Sequence, residues 1–221
     1  KDLLKQKTAI CYQSTSRVKI DFTKKEKIIS FIGKLNSAKG YDLFGSAIIK
    51  ILNEYNDWKA VVYGDEPREK LDFYHKNLKI NGYTHHNKVL KFLEKASISV
   101  ICSRWEEPFG RTSLEAASRG CATIISNKGG LPETTNSALI LKKLTSNEIY
   151  KEIKKLILNK QKLKRYQINN FKNFKFDHSY IAGLIDTIRS EFINIKNIYF
   201  LRKKLLKIMH ITNFNERFNG R

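Results

Sequence analysis

Two glutamates eight positions apart enclose a stretch that favours the start of a helix. The stretch runs from Glu107 to Glu115 and reads E-P-F-G-R-T-S-L-E. If Gly110 opens a helix, the backbone N–H groups of Gly110, Arg111 and Thr112 face outward, where the helix dipole favours a phosphate. Carboxylates accept hydrogen bonds from sugar hydroxyls. The pattern is therefore typical of a site for an anionic ligand that carries hydroxyl groups.

A glycine pair further along the chain could belong to the same site. Gly129 and Gly130 follow an apolar run, and glycine permits a close approach between backbone and ligand. Either feature alone is weak, because two glutamates at this spacing occur by chance and a glycine pair is usually a turn. The glutamates and the glycine pair indicate one binding site only if the fold brings them together.

Strands and helices alternate along the first two thirds of the chain. Apolar runs predict strands at 28–33, 58–63, 78–80, 98–102, 121–126 and 138–141, and helical spacing predicts helices at 41–55, 86–96 and 109–119. This alternation predicts a doubly wound α/β domain with a parallel sheet. Helices at 146–158 and 160–173 follow, and 178–208 forms one long helix or two. In such a sheet, ligands bind beyond the carboxyl ends of the strands, where the Glu107 and Gly129 segments fall.

Positive charge is concentrated in the last third of the chain. The formal net charge is +21, of which residues 1–141 supply +8 and residues 142–221 supply +13. Three explanations of this charge stay open: a general bias of the sequence toward Lys, Ile and Asn, binding to an anionic membrane surface, and binding to nucleic acid. No helix-turn-helix, zinc finger or single-strand platform accompanies the charge, so no specific nucleic-acid partner is predicted. The 41% hydrophobic content excludes wholesale disorder, and no apolar run is long enough to span a membrane.

The cysteines do not indicate a disulfide framework or a metal site. There are 3 of them, Cys11, Cys102 and Cys121, far apart and without Cys/His ligand spacing. This usage favours a reducing, cytoplasmic environment and predicts no metal ligands.

Three motifs in order resemble those of one enzyme family. The Glu107–Glu115 segment resembles the E-x7-E motif of retaining glycosyltransferases with the GT-B fold, of the glycosyltransferase family 4 type. Gly33-Lys34-Leu35 with Lys39-Gly40 resembles that family's G-R-L-x-x-x-K-G segment, and Gly129 to Glu133 resembles its G-G-x-x-E turn. The resemblance covers residues 27–175 and implies a Rossmann-like C-terminal domain that binds a nucleotide-sugar donor.

The resemblance also implies roles for individual residues. Lys34 and Lys39 would hold the pyrophosphate, although Lys34 replaces the family's more usual Arg and so loses a bidentate contact. Glu115 would accept hydrogen bonds from the ribose. Glu107 would be the catalytic carboxylate at the transferred sugar, together with the backbone N–H groups of Phe109 and Gly110. The remaining implied donor-binding positions are Gly33, Arg111, Thr112, Gly129 and Gly130, together with Gly82 and Tyr83, which would lie near the nucleotide base. The family's enzymes are generally metal-independent, so no metal or cofactor is expected.

The resemblance sets expectations for domain organisation. Residues 1–26 would be a linker or remnant of a preceding domain, 27–175 the donor-binding domain, and 176–206 a C-terminal helical segment. Residues 207–221 would be either a basic tail or the start of another domain. An acceptor-binding domain would then have to be supplied in cis or in trans, and the chain alone would be incomplete and inactive.

The function expected from these features is transfer of a sugar from a nucleotide-diphosphate sugar, with retention, in surface glycan or lipopolysaccharide assembly. The expected location is the cytoplasm, including the inner face of the membrane. Two alternatives stay open: a non-catalytic nucleotide-sugar-binding or interaction module, and a basic nucleic-acid-binding domain.

Overall fold

The computed structural model describes residues 9–193, and side chains up to residue 190. Residues 1–8, the predicted extension of the last helix to 208 and the predicted tail at 207–221 lie outside the described residues. The chain divides into two compact units, one formed by Tyr12–His178 and the other by the remaining residues at both ends. Of the second unit, the described part is residues 9–11 and the helix from residue 179 to 193.

The unit Tyr12–His178 is built on a parallel sheet of six strands. The strands are β1 (Glu26–Ile32), β2 (Lys59–Tyr63), β3 (Leu78–Ile80), β4 (Ala96–Ile101), β5 (Ala122–Ile125) and β6 (Leu139–Ile140). Their order across the sheet is β3-β2-β1-β4-β5-β6, and every neighbouring pair is parallel. This order is that of doubly wound, Rossmann-like domains. The predicted fold class is confirmed.

Helices alternate with the strands and then follow them. They are α1 (Tyr41–Glu54), α2 (His86–Leu93), α3 (Arg111–Ser118), α4 (Ser146–Leu158), α5 (Lys160–Lys172) and α6 (His178–Ile193). The prediction of α2 up to residue 96 was wrong, because Ala96 already pairs with Glu26 in the sheet. The prediction that α3 begins at residue 109 was also wrong, because Gly110 has a φ of 101° and caps the helix outside it. Two 3-10 turns, Phe22–Lys24 and Leu131–Glu133, were not predicted.

Alternate residues of the central strand β1 face two separate apolar layers. Ile29 and Phe31 belong to the layer that includes the inner faces of α1 and α4. Ile28 faces the opposite way and joins Leu93 of α2 and Ala116 of α3. A strand buried on both faces must be apolar at successive positions, which explains the continuous run I-I-S-F-I.

The connections leave β1 and β4 in opposite directions. The chain passes from β1 through α1 to β2 on one side, and from β4 through α3 to β5 on the other. A crevice forms between the carboxyl ends of two such strands, because their following loops diverge. The loop at residues 33–40 and the loop at residues 102–110 border this crevice.

Two cations attach the segment before β1 to this unit. The Lys25 ammonium donates to the carbonyl oxygens of Leu93, Ala96 and Arg119 at 3.0, 2.8 and 2.7 Å. Burial lowers the pKa of Lys25 below its ordinary value. The Arg119 side chain, only 2% exposed, donates to the carbonyl and hydroxyl oxygens of Ser16 at 2.6 and 2.8 Å. The described part of the predicted 1–26 linker, from Tyr12 onward, is therefore bonded to the domain that follows it.

We predict that Lys25→Met destabilises the unit. The substitution removes the ammonium donor from three enclosed carbonyl groups, and those of Leu93 and Ala96 keep only the weaker Cys121 Sγ–H donor at 3.3 Å. The loss of these hydrogen bonds costs about 1–3 kcal/mol. Urea denaturation followed by circular dichroism measures this as a lower transition midpoint. Lys24→Met is the matched control, because the Lys24 side chain is 79% exposed. Equal midpoints for the two variants would contradict the assignment.

Candidate functional site

A cleft of about 320 Å³ lies at the crevice between the carboxyl ends of β1 and β4. Its lining brings together two segments that are distant in sequence, residues 31–39 and residues 101–112. Among the lining residues are seven predicted site residues: Gly33, Lys34, Lys39, Glu107, Gly110, Arg111 and Thr112. The cleft therefore collects both lysines, the first glutamate and the start of α3.

The amino end of α3 carries no side-chain cap. Its capping residue is Gly110, in the left-handed region at φ 101°. The backbone N–H groups of Gly110, Arg111 and Thr112 have no protein acceptor among residues 9–193. Glycine is favoured here because this φ strains any residue with a side chain, and a Cβ would also lie 2.4 Å from Leu131 Cδ2. The cleft thus contains uncompensated N–H groups and the positive end of a helix dipole.

Lys39 and Glu107 form an ion pair across the cleft. Their side chains are 32% and 14% exposed, so the pair is partly withdrawn from water. The Lys39 backbone N–H donates to Asn36 Oδ1 at 2.9 Å, which fixes the loop after β1. Gly40 has a φ of 75°, and a Cβ there would lie 2.0 Å from the Cys102 carbonyl oxygen. This close approach brings Lys39 to the end of β4. Lys34 is exposed at the rim of the same cleft.

Glu115 does not line the cleft itself but bonds Arg111, which does, and the Glu115 side chain is only 6% exposed. Its Oε1 accepts two hydrogen bonds, from Arg111 Nε at 2.8 Å and from His86 Nε2 at 2.8 Å. His86 is the first residue of α2, and the sequence pattern indicated only that a helix begins there. Its hydrogen bond could not be found from spacing, because 29 residues separate it from Glu115.

The glycine pair supports the loop that carries Glu107. A Cβ on Gly129 would lie 2.2 Å from the Glu107 carbonyl oxygen, and one on Gly130 would lie 2.7 Å from Phe109 Cα. The Gly130 N–H donates to the Glu107 carbonyl at 2.7 Å. Both glycines are thus needed for loop-to-loop contact. Direct contact between this pair and a ligand stays a prediction.

Glu106 has a second role that its sequence position did not indicate. Glu106 is exposed, and its carboxylate accepts from Lys128 Nζ at 2.8 Å and from the Gly129 N–H at 2.6 Å. These hydrogen bonds, from Lys128 first and Gly129 second, lower the pKa of Glu106. Glu106 therefore bonds the loop after β4 to the loop after β5.

Phe109 is buried rather than presented to the cleft. It stacks on Tyr12 with ring centroids 4.9 Å apart and meets the edge of Phe176 at 5.6 Å. The Tyr12 hydroxyl donates to the Glu133 carboxylate, which raises the pKa of Tyr12. The aromatic ring of Phe109 is therefore a structural anchor, and the predicted contribution of its backbone N–H to the site remains a prediction.

Gly82 and Tyr83, which were expected near the nucleotide base, do not line the cleft. Gly82 lies just after β3, where its carbonyl accepts from the Gly64 N–H at 2.9 Å, and Tyr83 beside it is 82% exposed. Gly82 instead lines a neighbouring depression of about 370 Å³ whose rim includes Asp65 and Glu69. A base-binding role for Gly82 and Tyr83 stays a prediction.

Two further observations concern metal ligands and the membrane. Between residues 9 and 193, no three or more His, Cys, Asp and Glu side chains are grouped so that they could hold a metal ion. None of the helices in that range combines the length and the apolarity needed to cross a bilayer.

Comparison with known proteins gives one family match. The model of the family described as "Glycosyl transferases group 1" matches residues 13–173. Spore coat protein SA of Bacillus subtilis is 31% identical over 121 residues, which cover 49% of this chain and 32% of that protein. The 2-deoxystreptamine N-acetyl-D-glucosaminyltransferase of Niallia circulans is 30% identical over 122 residues, covering 52% and 31%. The chain thus spans about a third of the length of these relatives.

Solved structures share the fold. The C-terminal domain of a glycosyl transferase group 1 family protein from Francisella tularensis aligns with a TM-score of 0.60 at 26% identity, over 66% of this chain and 82% of that one. Anabaena HepE, solved in complex with UDP-glucose, aligns with a TM-score of 0.64 at 17% identity, over 77% and 49%. At that identity the second likeness concerns the fold alone.

We predict that Gly130→Ala displaces the Glu107 loop. The added Cβ would lie within 2.7 Å of the backbone at Pro108 and Phe109, so the loop must move or the unit loses stability, by about 1–3 kcal/mol. Thermal denaturation measures the loss, and a crystal structure of the variant measures the shift. Gly183→Ala is the control because a Cβ at that helical position meets nothing within 4 Å. An unshifted, fully stable Gly130→Ala protein would contradict this interpretation of the glycine pair.

Proposed function

The chain belongs to the glycosyl transferases group 1 family, and we propose that it forms the domain that binds the nucleotide-sugar donor in a retaining enzyme of the family 4 type. Because the chain spans only part of its relatives, the transfer reaction is proposed for the whole protein. The donor class is supported by the relatives, one named as an N-acetyl-D-glucosaminyltransferase and another solved with UDP-glucose.

One observation carries the proposal: the cleft joins two lysines to the uncapped amino end of a helix. Lys34 and Lys39 face this cleft together with the N–H groups of Gly110, Arg111 and Thr112. A diphosphate carries at least two negative charges and many acceptor oxygens. Ammonium groups and oriented N–H groups supply both the opposite charge and the donors that it needs. The diphosphate would therefore lie between the β1 loop and α3.

A bound diphosphate would replace Glu107 as the partner of Lys39. Without ligand, each charge compensates the other at low exposure. A diphosphate would compete for the Lys39 ammonium, because its oxygens offer more negative charge than one carboxylate. Glu107 would then be released toward the hydroxyl groups of the transferred sugar, which carboxylates bind well. The same pair thus prepares the cleft for both parts of the donor.

The proposed reaction breaks the bond between the anomeric carbon and the diphosphate. The acceptor hydroxyl oxygen forms the new bond on the same face, and its proton passes to the leaving phosphate oxygen. Negative charge develops on the diphosphate as the bond breaks. Lys34, Lys39 and the α3 amides would stabilise that charge without a divalent metal ion, since they are already oriented. Glu107 is then not a hydrolytic acid or nucleophile.

We predict that a nucleoside diphosphate binds this chain in the absence of Mg²⁺ and that Glu115→Ala abolishes the binding. Glu115 would accept from the ribose hydroxyls, so removing it leaves those hydroxyls without a buried partner. Isothermal titration with UDP and GDP measures the effect. Glu54→Ala is the matched control, because Glu54 lies at the end of α1 and bonds Lys154 and Tyr150. Absence of binding by every nucleoside diphosphate would refute the donor-site proposal.

A basic surface supports association with an anionic membrane during surface glycan assembly. Residues 142–175, which include α4 and α5, hold eleven basic and two acidic side chains. On α5, Lys160, Lys164 and Arg165 are exposed. Basic residues near an anionic lipid surface contribute about 1 kcal/mol each. The protein would therefore act at the anionic inner face of the cell membrane.

We predict that the chain sediments with phosphatidylglycerol vesicles at low salt and not with phosphatidylcholine vesicles. Replacing Lys160, Lys164 and Arg165 together by Gln should reduce vesicle binding by at least tenfold, since three charges are lost. Replacing Lys88, Lys91 and Lys95, on and just after α2, by Gln serves as the charge-matched control. Equal losses in both triple variants would point to net charge rather than to this surface. Tight, salt-sensitive binding to duplex DNA with no vesicle binding would favour nucleic acid instead.

A further inference from the structure

The hydrogen bond between His86 and Glu115 joins α2 to α3. His86 begins α2, whereas Glu115 lies one turn into α3. The distance from His86 Nε2 to Glu115 Oε1 is 2.8 Å, and the Glu115 side chain is 6% exposed. A hydrogen bond to an ionised carboxylate at this burial is stronger than one at the surface.

The direction of this hydrogen bond follows from the chemistry of the acceptor. An ionised carboxylate can only accept, so His86 must carry its proton on Nε2. Arg111 Nε donates to the same oxygen at 2.8 Å. Both donors therefore use Oε1, and within the described part of the chain Oε2 receives no hydrogen bond from protein. The two donors restrain the carboxyl group through Oε1, so a hydroxyl of a ligand would have to donate to Oε2.

The two donors are not equivalent. Arg111 lies on the same helix as Glu115, four residues earlier, and its side chain is 61% exposed at the rim of the cleft. Its guanidinium is thus close enough to the cleft to be drawn to a phosphate. His86 belongs to a different helix, so its hydrogen bond sets the carboxyl group relative to the loop between β3 and α2. Only His86 holds Glu115 from outside α3 through a hydrogen bond among residues 9–193.

We propose that His86 is a positioning residue that orients the Glu115 carboxylate for the pentose hydroxyls of the nucleotide. This inference rests on the proposed donor-binding function. His86 acts through Glu115, so its contribution to affinity depends on hydroxyl groups on the ligand. A residue that only stabilised the fold would affect all nucleotides equally.

The test measures the affinities of three variants for two ligands by isothermal titration without Mg²⁺. The ligands are UDP and 2′,3′-dideoxy-UDP, which lacks both pentose hydroxyls. His86→Leu should weaken UDP binding at least tenfold, the usual effect of losing a hydrogen bond to a charged group. His86→Gln, whose amide N–H can still donate, should restore the affinity to within about threefold. His85→Leu is the matched control, because His85 is the exposed neighbour and makes no capping hydrogen bond through its side chain.

Binding of 2′,3′-dideoxy-UDP distinguishes a positioning role of His86 from a purely structural one. Wild type and His86→Leu should bind 2′,3′-dideoxy-UDP with the same affinity, because the carboxylate then has nothing to accept from. An equal loss for both ligands would overturn the positioning role, as would unchanged UDP affinity in His86→Leu. Both results leave UDP binding by the wild-type chain intact, so the proposed function would survive them. A wild-type chain that bound no nucleoside diphosphate would overturn the proposed function and this inference with it.

A second measurement avoids substitution altogether in case His86→Leu does not fold. The ¹⁵N chemical shift of His86 Nε2 in the wild-type chain reports on its hydrogen bond to Glu115. UDP should move this resonance, because the carboxylate gains new donors at Oε2, and dideoxy-UDP should leave it in place. Identical shifts with both ligands would overturn the inference.

Discussion

Loops meet at the carboxyl edge of the sheet at distances that leave no room for a Cβ atom. Gly40 abuts the Cys102 carbonyl, and Gly129 and Gly130 abut the backbone of Glu107 and Phe109. Backbone that approaches this closely can be built only from glycine at those positions. The contacts place Lys39 opposite Glu107 and hold α3 with its amino end toward the cleft. The chemistry of the site thus depends first on a steric constraint.

Apart from Lys34, which forms no ion pair among the described residues, the charged side chains of the site are paired within the protein before any ligand binds. Lys39 pairs with Glu107, and Glu115 pairs with Arg111 and His86. Each partly buried charge loses contact with water, and the attraction of its partner offsets part of that desolvation cost. Between residues 9 and 193, the backbone N–H groups at the start of α3 also have no protein acceptor, and their partial charge does not change with pH. A phosphate would bind at these N–H groups. The geometry of the helix therefore contributes to the proposed binding site as much as the side-chain charges do.

The segment before β1 supports this arrangement from behind. Arg119 at the end of α3 bonds Ser16, and Tyr12 stacks on Phe109 at the beginning of the same loop and helix. Both ends of the Phe109–Arg119 stretch therefore contact a part of the chain that sequence assigned to a linker. Whether residues 1–26 also connect to a preceding domain stays a prediction, but residues 12–25 clearly contribute to the position of α3.

The sequence alone determined the fold class and the neighbourhood of the site. Runs such as I-I-S-F-I and A-S-I-S-V-I predict strands buried on both faces, and their alternation with helices predicts a doubly wound sheet whose carboxyl edge holds the three motifs. Which side chains touch was decided by tertiary structure. His86 and Glu115 are 29 residues apart, and Tyr12 and Glu133 are 121 apart. Local periodicity sets only which face a residue occupies, whereas such contacts depend on how helices cross and loops run once the core has packed.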